Sequence, residues 1–445
     1  MTANRSPSRA ELIADVLAKS CAPEDVRVGL EVEALGLVTP GLTPLGGDAG
    51  PSIHDLLTEV MHGFGGDPIE DGGILHGVKF SNWTLTVEPG GQFEFSGPPE
   101  STVVGLEKAR STYFDILDRL SSEHGIRWLW LGVQPLRSPE QMPFLEKPRY
   151  TLMRSYLPTR GTDALRMMQT SASVQVTLDG TGPIDLQQKF QCLLRVAPFG
   201  YLFFANSPYL NGRANGARSN RAAIWQNTDS HRCGIPARFL DWEFGVDEYV
   251  DFALDVPMFF LQRQDQLIAL NGSLTFRQFM ENGLNEHRAT LDDFRHHLST
   301  LFYDVRMKGH IEFRPADCVP ENMQLSVAAL VTGLVYNRAV LADLRSWLEK
   351  TFSTEDVLNA RHDLATKGFE ARFGKYDVVG VASELLALAA EGLKHYEPEA
   401  RGFLDPLFDL VHTKETLADR LVGRLGDDLR SKPPEILETF LPIRW

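Results

Sequence analysis

Five glutamates in this chain of 445 residues fall in segments that alternate like β-strands, where glutamate is uncommon. Side chains on a strand point to opposite faces in turn. Leu30-Glu31-Val32-Glu33-Ala34 therefore puts two carboxylates on one face and apolar groups on the other. Gln92-Phe93-Glu94-Phe95-Ser96 repeats the pattern, and a three-residue loop at Pro89–Gly91 would set Glu88 opposite Gln92 on the same polar face. Ser173-Val174-Gln175-Val176-Thr177 and Ile311-Glu312-Phe313-Arg314 alternate in the same way. For any one strand, the solvated face of a half-exposed sheet explains such alternation. Glu31, Glu33, Glu88, Glu94 and Glu312 together resist that explanation, because neighbouring like charges repel and require either a cation or raised pKa values. All-oxygen donors favour Mg²⁺ or Mn²⁺ over zinc, and Mg²⁺ keeps positions open for substrate phosphates, so ATP is the natural partner.

No glycine-rich phosphate loop of the Walker type, no GxGxxG after a strand and no kinase signature is present. ATP would then be held by metals and by arginines on a sheet. Arg314, on the same face as Glu312, could neutralise a transferring phosphoryl group or simply pair with Glu312. A second arginine cluster, Arg213, Arg218, Arg221 and Arg232, suits carboxylates or phosphates, although Arg213 and Arg218 fit a solvated loop equally well. Arg221, Trp225, Asp229 and Arg232 would run along one side of a short helix and its exit. His296-His297 reads as a surface pair, and Cys21, Cys192, Cys233 and Cys318 as reduced thiols with no zinc-ligand spacing.

The elements that would position these groups follow from periodicity. Helices are expected over Ala10 to Cys21, Ile53–Phe64, Ser101 to His124 and Leu186–Ala205, the last bent at Pro198. Strands are expected over Val26 to Val38, Trp128–Val133, Ser171–Leu178 and His310–Arg314, with a hairpin over Lys79–Ser96. Thr39 to Pro51 is Gly/Pro-rich, and the chain from about Met323 is almost wholly helical. These elements predict an α+β fold on an antiparallel sheet, flanked by helices. We expect a catalytic core over 1–345 and a helical C-terminal region over 346–445 packed on it.

With 43% hydrophobic and 23% charged residues the composition is that of a globular protein, and a net charge of −15 with no basic block argues against nucleic-acid or anionic-membrane partners. The polar start, the short apolar runs and the scattered cysteines together predict a cytoplasmic protein.

Several of these segments are similar to motifs of the glutamate–cysteine ligase family of plants and many bacteria. Gly29-Leu30-Glu31-Val32-Glu33 resembles the family's GxExE strand, and Val87 to Gly97 resembles its EPGGQFELSG motif, with Phe95 in place of leucine. Pro148-Arg149-Tyr150-Thr151-Leu152-Met153, Met167-Met168-Gln169-Thr170, Val174-Gln175-Val176, Arg221–Gly234 and Glu312-Phe313-Arg314 follow in the family's order, with Thr177 where asparagine is frequent. The loop Ala205–Gly234 looks closest to the branch serving ergothioneine synthesis, and no counterpart of the plant regulatory disulfide is evident.

The resemblance implies a funnel-like antiparallel sheet related to glutamine synthetase. It implies Glu31, Glu33, Glu88, Glu94 and Glu312 as metal ligands, with Gln175 and Arg314 near the phosphates. Arg149, Tyr150, Met153, Arg221, Trp225 and Arg232 would bind substrate, the arginines holding glutamate carboxylates. It further implies a reaction in which ATP phosphorylates the glutamate γ-carboxylate and the amine of cysteine displaces phosphate. A different amine acceptor, or a homologue that binds ligand without catalysis, remain alternatives at this point, and the oligomeric state is not legible.

Overall fold

The alternating strands form one ten-stranded sheet in which every pairing is antiparallel. The computed structural model describes residues 5–47, 50–264, 266–433 and Leu437. Residues 1–4 of the polar start, two residues of the Gly/Pro-rich stretch and the end of the helical C-terminal region lie outside them. Along the sheet the order is Val305–Met307, Ile311–Phe313, Val174–Leu178, Val28–Val38, Phe93–Ser96, Thr84–Val87, Ile74–Lys79 and Asp67–Asp71. The central strand Val28–Val38 is long enough to serve two sets of partners. Its first half pairs with Phe93–Ser96 and Val174–Leu178, and its second half with Thr43–Pro44 and Ile126–Leu129.

The apolar face of that alternation is the core. Leu30, Val32, Phe93, Phe95, Val174, Val176, Ile311 and Phe313 are all buried, against the helices Pro183–Phe203 and Glu321–Val335 and the helix Ser111–His124. Full burial of a side chain of this size contributes about 1.5–3 kcal/mol. Phe95 fills its place in an aromatic cluster, 5.3 Å from Trp83 and 5.4 Å from Tyr113 between ring centroids, which accounts for the larger residue there. The Tyr113 hydroxyl donates to the Phe93 carbonyl at 3.0 Å and ties that helix to the sheet.

Two expectations are corrected in detail. The helix over Ser101 to His124 is two helices, Val103–Ala109 and Ser111–His124. Arg110 sits at the break, where its buried guanidinium donates to the Glu321 carbonyl and to Gln324 Oε1 (2.9 and 2.8 Å) instead of continuing a helix face. The strand expected over Trp128–Val133 is Ile126–Leu129, after which the chain leaves the ladder. The long helix Pro183–Phe203 runs unbroken through Pro198. Among the described residues after Glu321 the regular elements are helices apart from a short ribbon, Arg372–Phe373 with Tyr376–Asp377. The expected division at 345/346 falls inside the helix Arg338–Thr351. Among the described residues no single helix is long and apolar enough to cross a membrane.

Candidate active site

Glu31 and Glu33 point away from the core on the central strand, and the neighbouring strands complete their surroundings. Glu33 pairs directly with Glu94, while Glu31 lies between Ser96 on one side and Gln175 on the other. Glu94 faces Thr86 on the next strand. Residues directly opposite in an antiparallel pair have Cβ atoms roughly 4.5–5.5 Å apart, so these are like charges at close quarters.

Glu88 joins them through the turn. Its amide donates to the Gln92 carbonyl at 2.9 Å, and its carbonyl accepts from the Gly91 amide at 3.0 Å. The turn needs both glycines. Gly91 has φ +84°, and a Cβ on Gly90 would lie 2.0 Å from the Gln169 carbonyl oxygen. Gln92 is a fastener rather than a site group: its amide donates to the carbonyls of Ser171 and Met168 (2.8 and 3.3 Å) and accepts from Gly90 N at 2.8 Å.

Hydroxyls serve three of the four. Ser173 donates to Glu33 (3.0 Å), Thr86 and Ser96 to Glu94 (3.0 and 2.9 Å), and Tyr150 to Glu88 (3.0 Å). Among the described residues none of the four carboxylates has an ion-pair partner within 4.0 Å. Burial first, and mutual repulsion next, push Glu31 and Glu94 up to about 7 and Glu33 to about 8. Burial raises Glu88 as well.

The quartet forms one wall of a cavity of about 350 Å³, within the range of small-molecule sites. The rest of the lining is largely cationic and aromatic. Arg149 and Met153 come from the helix Pro148–Tyr156, Arg221 and Trp225 from the helix Asn220–Gln226, and Arg306 and Arg314 from the far edge of the sheet. Arg314 donates to Gln175 Oε1 and lies 3.8 Å from Glu312. Arg149 is anchored on the hydroxyl and carbonyl of Ser299 (3.3 and 3.2 Å). Two buried donors on residues that line the cavity, Arg221 Nε and Trp225 Nε1, have no hydrogen-bond partner. Unsatisfied buried donors cost about 1–3 kcal/mol each, so they call for an acceptor supplied by a ligand.

The sequence profile of glutamate–cysteine ligase family 2 matches residues 27–431. The chain belongs to this family. The chloroplastic glutamate–cysteine ligase of Arabidopsis thaliana is 34% identical over 442 residues, 98% of this chain and 83% of that protein. The chloroplastic enzyme of Medicago truncatula is 33% identical over 412 residues, 92% of this chain and 80% of its own length. Among solved structures, the glutamate–cysteine ligase of Francisella tularensis in complex with AMP superposes with a TM-score of 0.56 at 14% identity, covering 94% of this chain and 87% of that one. A bifunctional glutathione synthetase from Pasteurella multocida gives 0.56 at 16% identity over 97% of this chain. The chain spans about half of that longer protein (53%). At these identities the structural likeness speaks for the fold alone.

Within this family-2 fold, ten of the expected site residues line one cavity: Glu31, Glu33, Glu88, Glu94, Arg149, Tyr150, Met153, Gln175, Arg221 and Trp225; Arg314 is an eleventh. Two others are placed differently. Glu312, expected as a metal ligand, is directly opposite Arg306, and its carboxylate is already taken by Arg306, Lys308 (2.6 Å), His310 (3.3 Å) and Arg314. Burial alone would raise it, but these cations hold it well below the usual carboxylate range. Arg232, expected to hold substrate, is fully buried away from the cavity. It pairs with Asp229 at 2.8 Å, donates to the Pro257 carbonyl at 2.7 Å and stacks 3.8 Å from the Phe259 ring centroid. The helix carrying Arg221 ends at Gln226, and the turn that follows aims Arg232 into the protein.

Other expectations resolve similarly. Arg213 and Arg218 pair with Asp428 and Asp419, outside the cavity. His297 is buried on the Ala253 carbonyl rather than at the surface. All four cysteines are free, and burial pushes Cys192 and Cys233 up to about 12, consistent with small apolar side chains. Sequence reasoning missed Arg306, Lys147, His76, Ser299 and Phe302, which also line the cavity. The alternation Val305-Arg306-Met307 was the available signal for Arg306.

Proposed function

We propose that the protein joins the γ-carboxylate of glutamate to the amine of cysteine at the expense of ATP, giving γ-glutamylcysteine, ADP and phosphate. The observation that carries this reading is a family-2 chain whose cavity is lined by four half-buried carboxylates without ion-pair partners and by several arginines. A free carboxylate is a poor electrophile for an amine. Transfer of the ATP γ-phosphoryl group to a carboxylate oxygen makes the carbonyl carbon reactive; attack by the amine then forms the C–N bond, and phosphate departs with that oxygen.

The residues fit that chemistry by position and charge rather than by a nucleophile. Raised pKa values and the lack of cation partners make Glu31, Glu33, Glu88 and Glu94 suitable to hold Mg²⁺ or Mn²⁺, which when bound offsets phosphate charge and aligns in-line transfer. Arg314, steadied by Gln175, offers its guanidinium to the transferring phosphoryl group, and Arg306 stands beside it. Arg149 and the unpartnered Nε of Arg221 suit the carboxylates of glutamate, with Trp225 Nε1 as a further donor. Tyr150 and Met153 line the same cavity, and Tyr150 fixes Glu88.

Four free thiols fit a reducing compartment such as the cytoplasm, and the product suits thiol biosynthesis. The resemblance of the loop Ala205–Gly234 favours the ergothioneine-type branch. The test is the mass of the product formed from glutamate, cysteine, ATP and Mg²⁺, with a panel of other amines run in parallel. γ-Glutamylcysteine with stoichiometric phosphate is expected. A preference for another amine would replace the acceptor, and no phosphate release with any amine would remove the ligase reading.

A further inference from the structure

Apart from Arg149, the arginines that line the cavity come from two separate pieces of chain. One piece is the helix Asn220–Gln226, bearing Arg221 and Trp225. The other is the segment from Phe302 to Arg314, bearing Arg306 and Arg314. Between them run one side-chain hydrogen bond, from Arg221 to the Arg314 carbonyl at 3.2 Å, and contacts of the Trp225 ring with Phe302 (5.6 Å between centroids) and with the Arg314 guanidinium (5.7 Å).

Both pieces are held from behind by one helix of the C-terminal region, Thr354–Lys367. At its end the Ala365 carbonyl accepts from the amides of Arg218 and Ser219, each at 2.9 Å, and the Thr366 carbonyl accepts from Arg218 Nη1 at 2.9 Å. Ser219 is the N-cap of the helix carrying Arg221, and Ala222 packs with Ala365 and Tyr201. One turn earlier, Arg361 reaches the second piece. Its Nε donates to Asp304 Oδ2 at 2.6 Å and its Nη2 to Oδ1 at 3.1 Å, with both side chains almost fully buried. Asp304 immediately precedes the strand of Arg306, its amide donates to the Gly234 carbonyl, and its carbonyl accepts from the Arg314 amide, both at 3.0 Å.

We infer that the Arg361–Asp304 fork is a positioning element for the ligation: it sets the register of Arg221, Arg306 and Arg314 relative to the carboxylate quartet. A buried ion pair is weak evidence for stability, since desolvation offsets much of the attraction. What a two-pronged guanidinium–carboxylate contact supplies is fixed geometry, which a lysine in its place cannot reproduce. The carboxylate quartet lies on other strands and does not depend on this fork. The helix Thr354–Lys367 thus gives the C-terminal region a part in the reaction while contributing no side chain to the cavity.

The kinetic arm of the test rests on the ligase reading, and the exchange arm does not. Full-length wild type, Arg361→Lys, Arg361→Met and Asp304→Asn are compared by steady-state kinetics per folded molecule, by Mn²⁺ binding and by amide hydrogen exchange. For Arg361→Lys we expect kcat/KM for glutamate to fall roughly 10- to 100-fold, the cost of displacing a positioned group by about 1 Å. Mn²⁺ affinity should stay within about twofold of wild type, and extra exchange should be confined to residues 219–226 and 302–314. Asp304→Asn, which keeps the shape of the partner, should show the same pattern more weakly. Unchanged kcat/KM in the folded protein, or exchange that rises uniformly over the chain, would overturn the inference. If wild type itself forms no product, the ligase reading fails, and localised against uniform exchange still decides the role of the fork.

Discussion

Glu33 and Glu312 are glutamates on two strands of one sheet, separated only by the strand Val174–Leu178, yet their electrostatic situations are opposite. Glu33 faces Glu94, receives a hydroxyl from Ser173 and is pushed up to about 8. Glu312 is surrounded by Arg306, Lys308, His310 and Arg314 and is held well below the usual range. Burial raises both, so the neighbours decide. Glu312 has cations beside it, whereas among the described residues the quartet has no ion-pair partner; under the proposed function a bound metal ion would supply that counter-charge.

The contrast can be broken most forcefully in the quartet. Glu94→Gln keeps shape and removes a charge, and turnover at saturating Mg²⁺ should fall about 100-fold or more, because a bound metal ion supplies several kcal/mol to a phosphoryl transfer. Circular dichroism and melting should show the fold intact. Near-wild-type turnover would mean that the carboxylate face is not the metal site.

Stability should separate the two glutamates in the opposite sense. Glu312→Gln leaves Arg306 buried without its partner and should cost about 3–5 kcal/mol in a denaturant titration. Glu33→Gln relieves repulsion, so the metal-free variant should be as stable as wild type or more so. Equal losses in both variants would erase the distinction drawn here.

The pH dependence of metal-free stability has a definite sign. Glu31 and Glu94 rise to about 7 and Glu33 to about 8, above the unfolded carboxylate range of roughly 4.3. Between those limits the folded protein holds more protons than the unfolded chain. Its stability should therefore decline as pH rises from about 4 to about 8. Added Mg²⁺ should reverse that decline. Glu312, with a depressed value, contributes stability at neutral pH that is lost only as pH falls into the acid range. Melting temperatures from pH 5 to 8, with and without Mg²⁺, check both statements.

A smaller effect separates two arginines of one motif. Arg221→Lys should raise KM for glutamate about tenfold, the value of one charge-assisted hydrogen bond, with little change in melting temperature. Arg232→Lys should lower the melting temperature and leave KM of the folded enzyme within about twofold. Reversed results would exchange their roles.

These residues also mark how far the sequence carries. The quartet was legible because strand alternation and a short turn are local, and both register pairs, Glu88 with Gln92 and the face shared by Glu31, Glu33 and Glu94, follow from period two. Of the partners of Glu312, Arg314 was read from the sequence, but Arg306 was not legible, because it lies on a strand of three residues and pairs across a turn in a stretch of short, irregular elements. Arg221 and Arg232 look alike in sequence. Only the path of the chain after Gln226 sends one to the cavity and the other into the core. The reach of Arg361 to Asp304, 57 residues away, is a tertiary fact with no local signal.

The most direct measurement is a calorimetric titration of Mn²⁺ into ligand-free wild type and Glu94→Gln at pH 7, in two buffers of different ionisation enthalpy. Wild type should bind Mn²⁺ and release protons, since the ion displaces them from carboxylates that titrate at about 7 to 8. Glu94→Gln should bind far more weakly. Equal binding in the two proteins, or binding without proton release, would contradict the assignment of the quartet as the metal site.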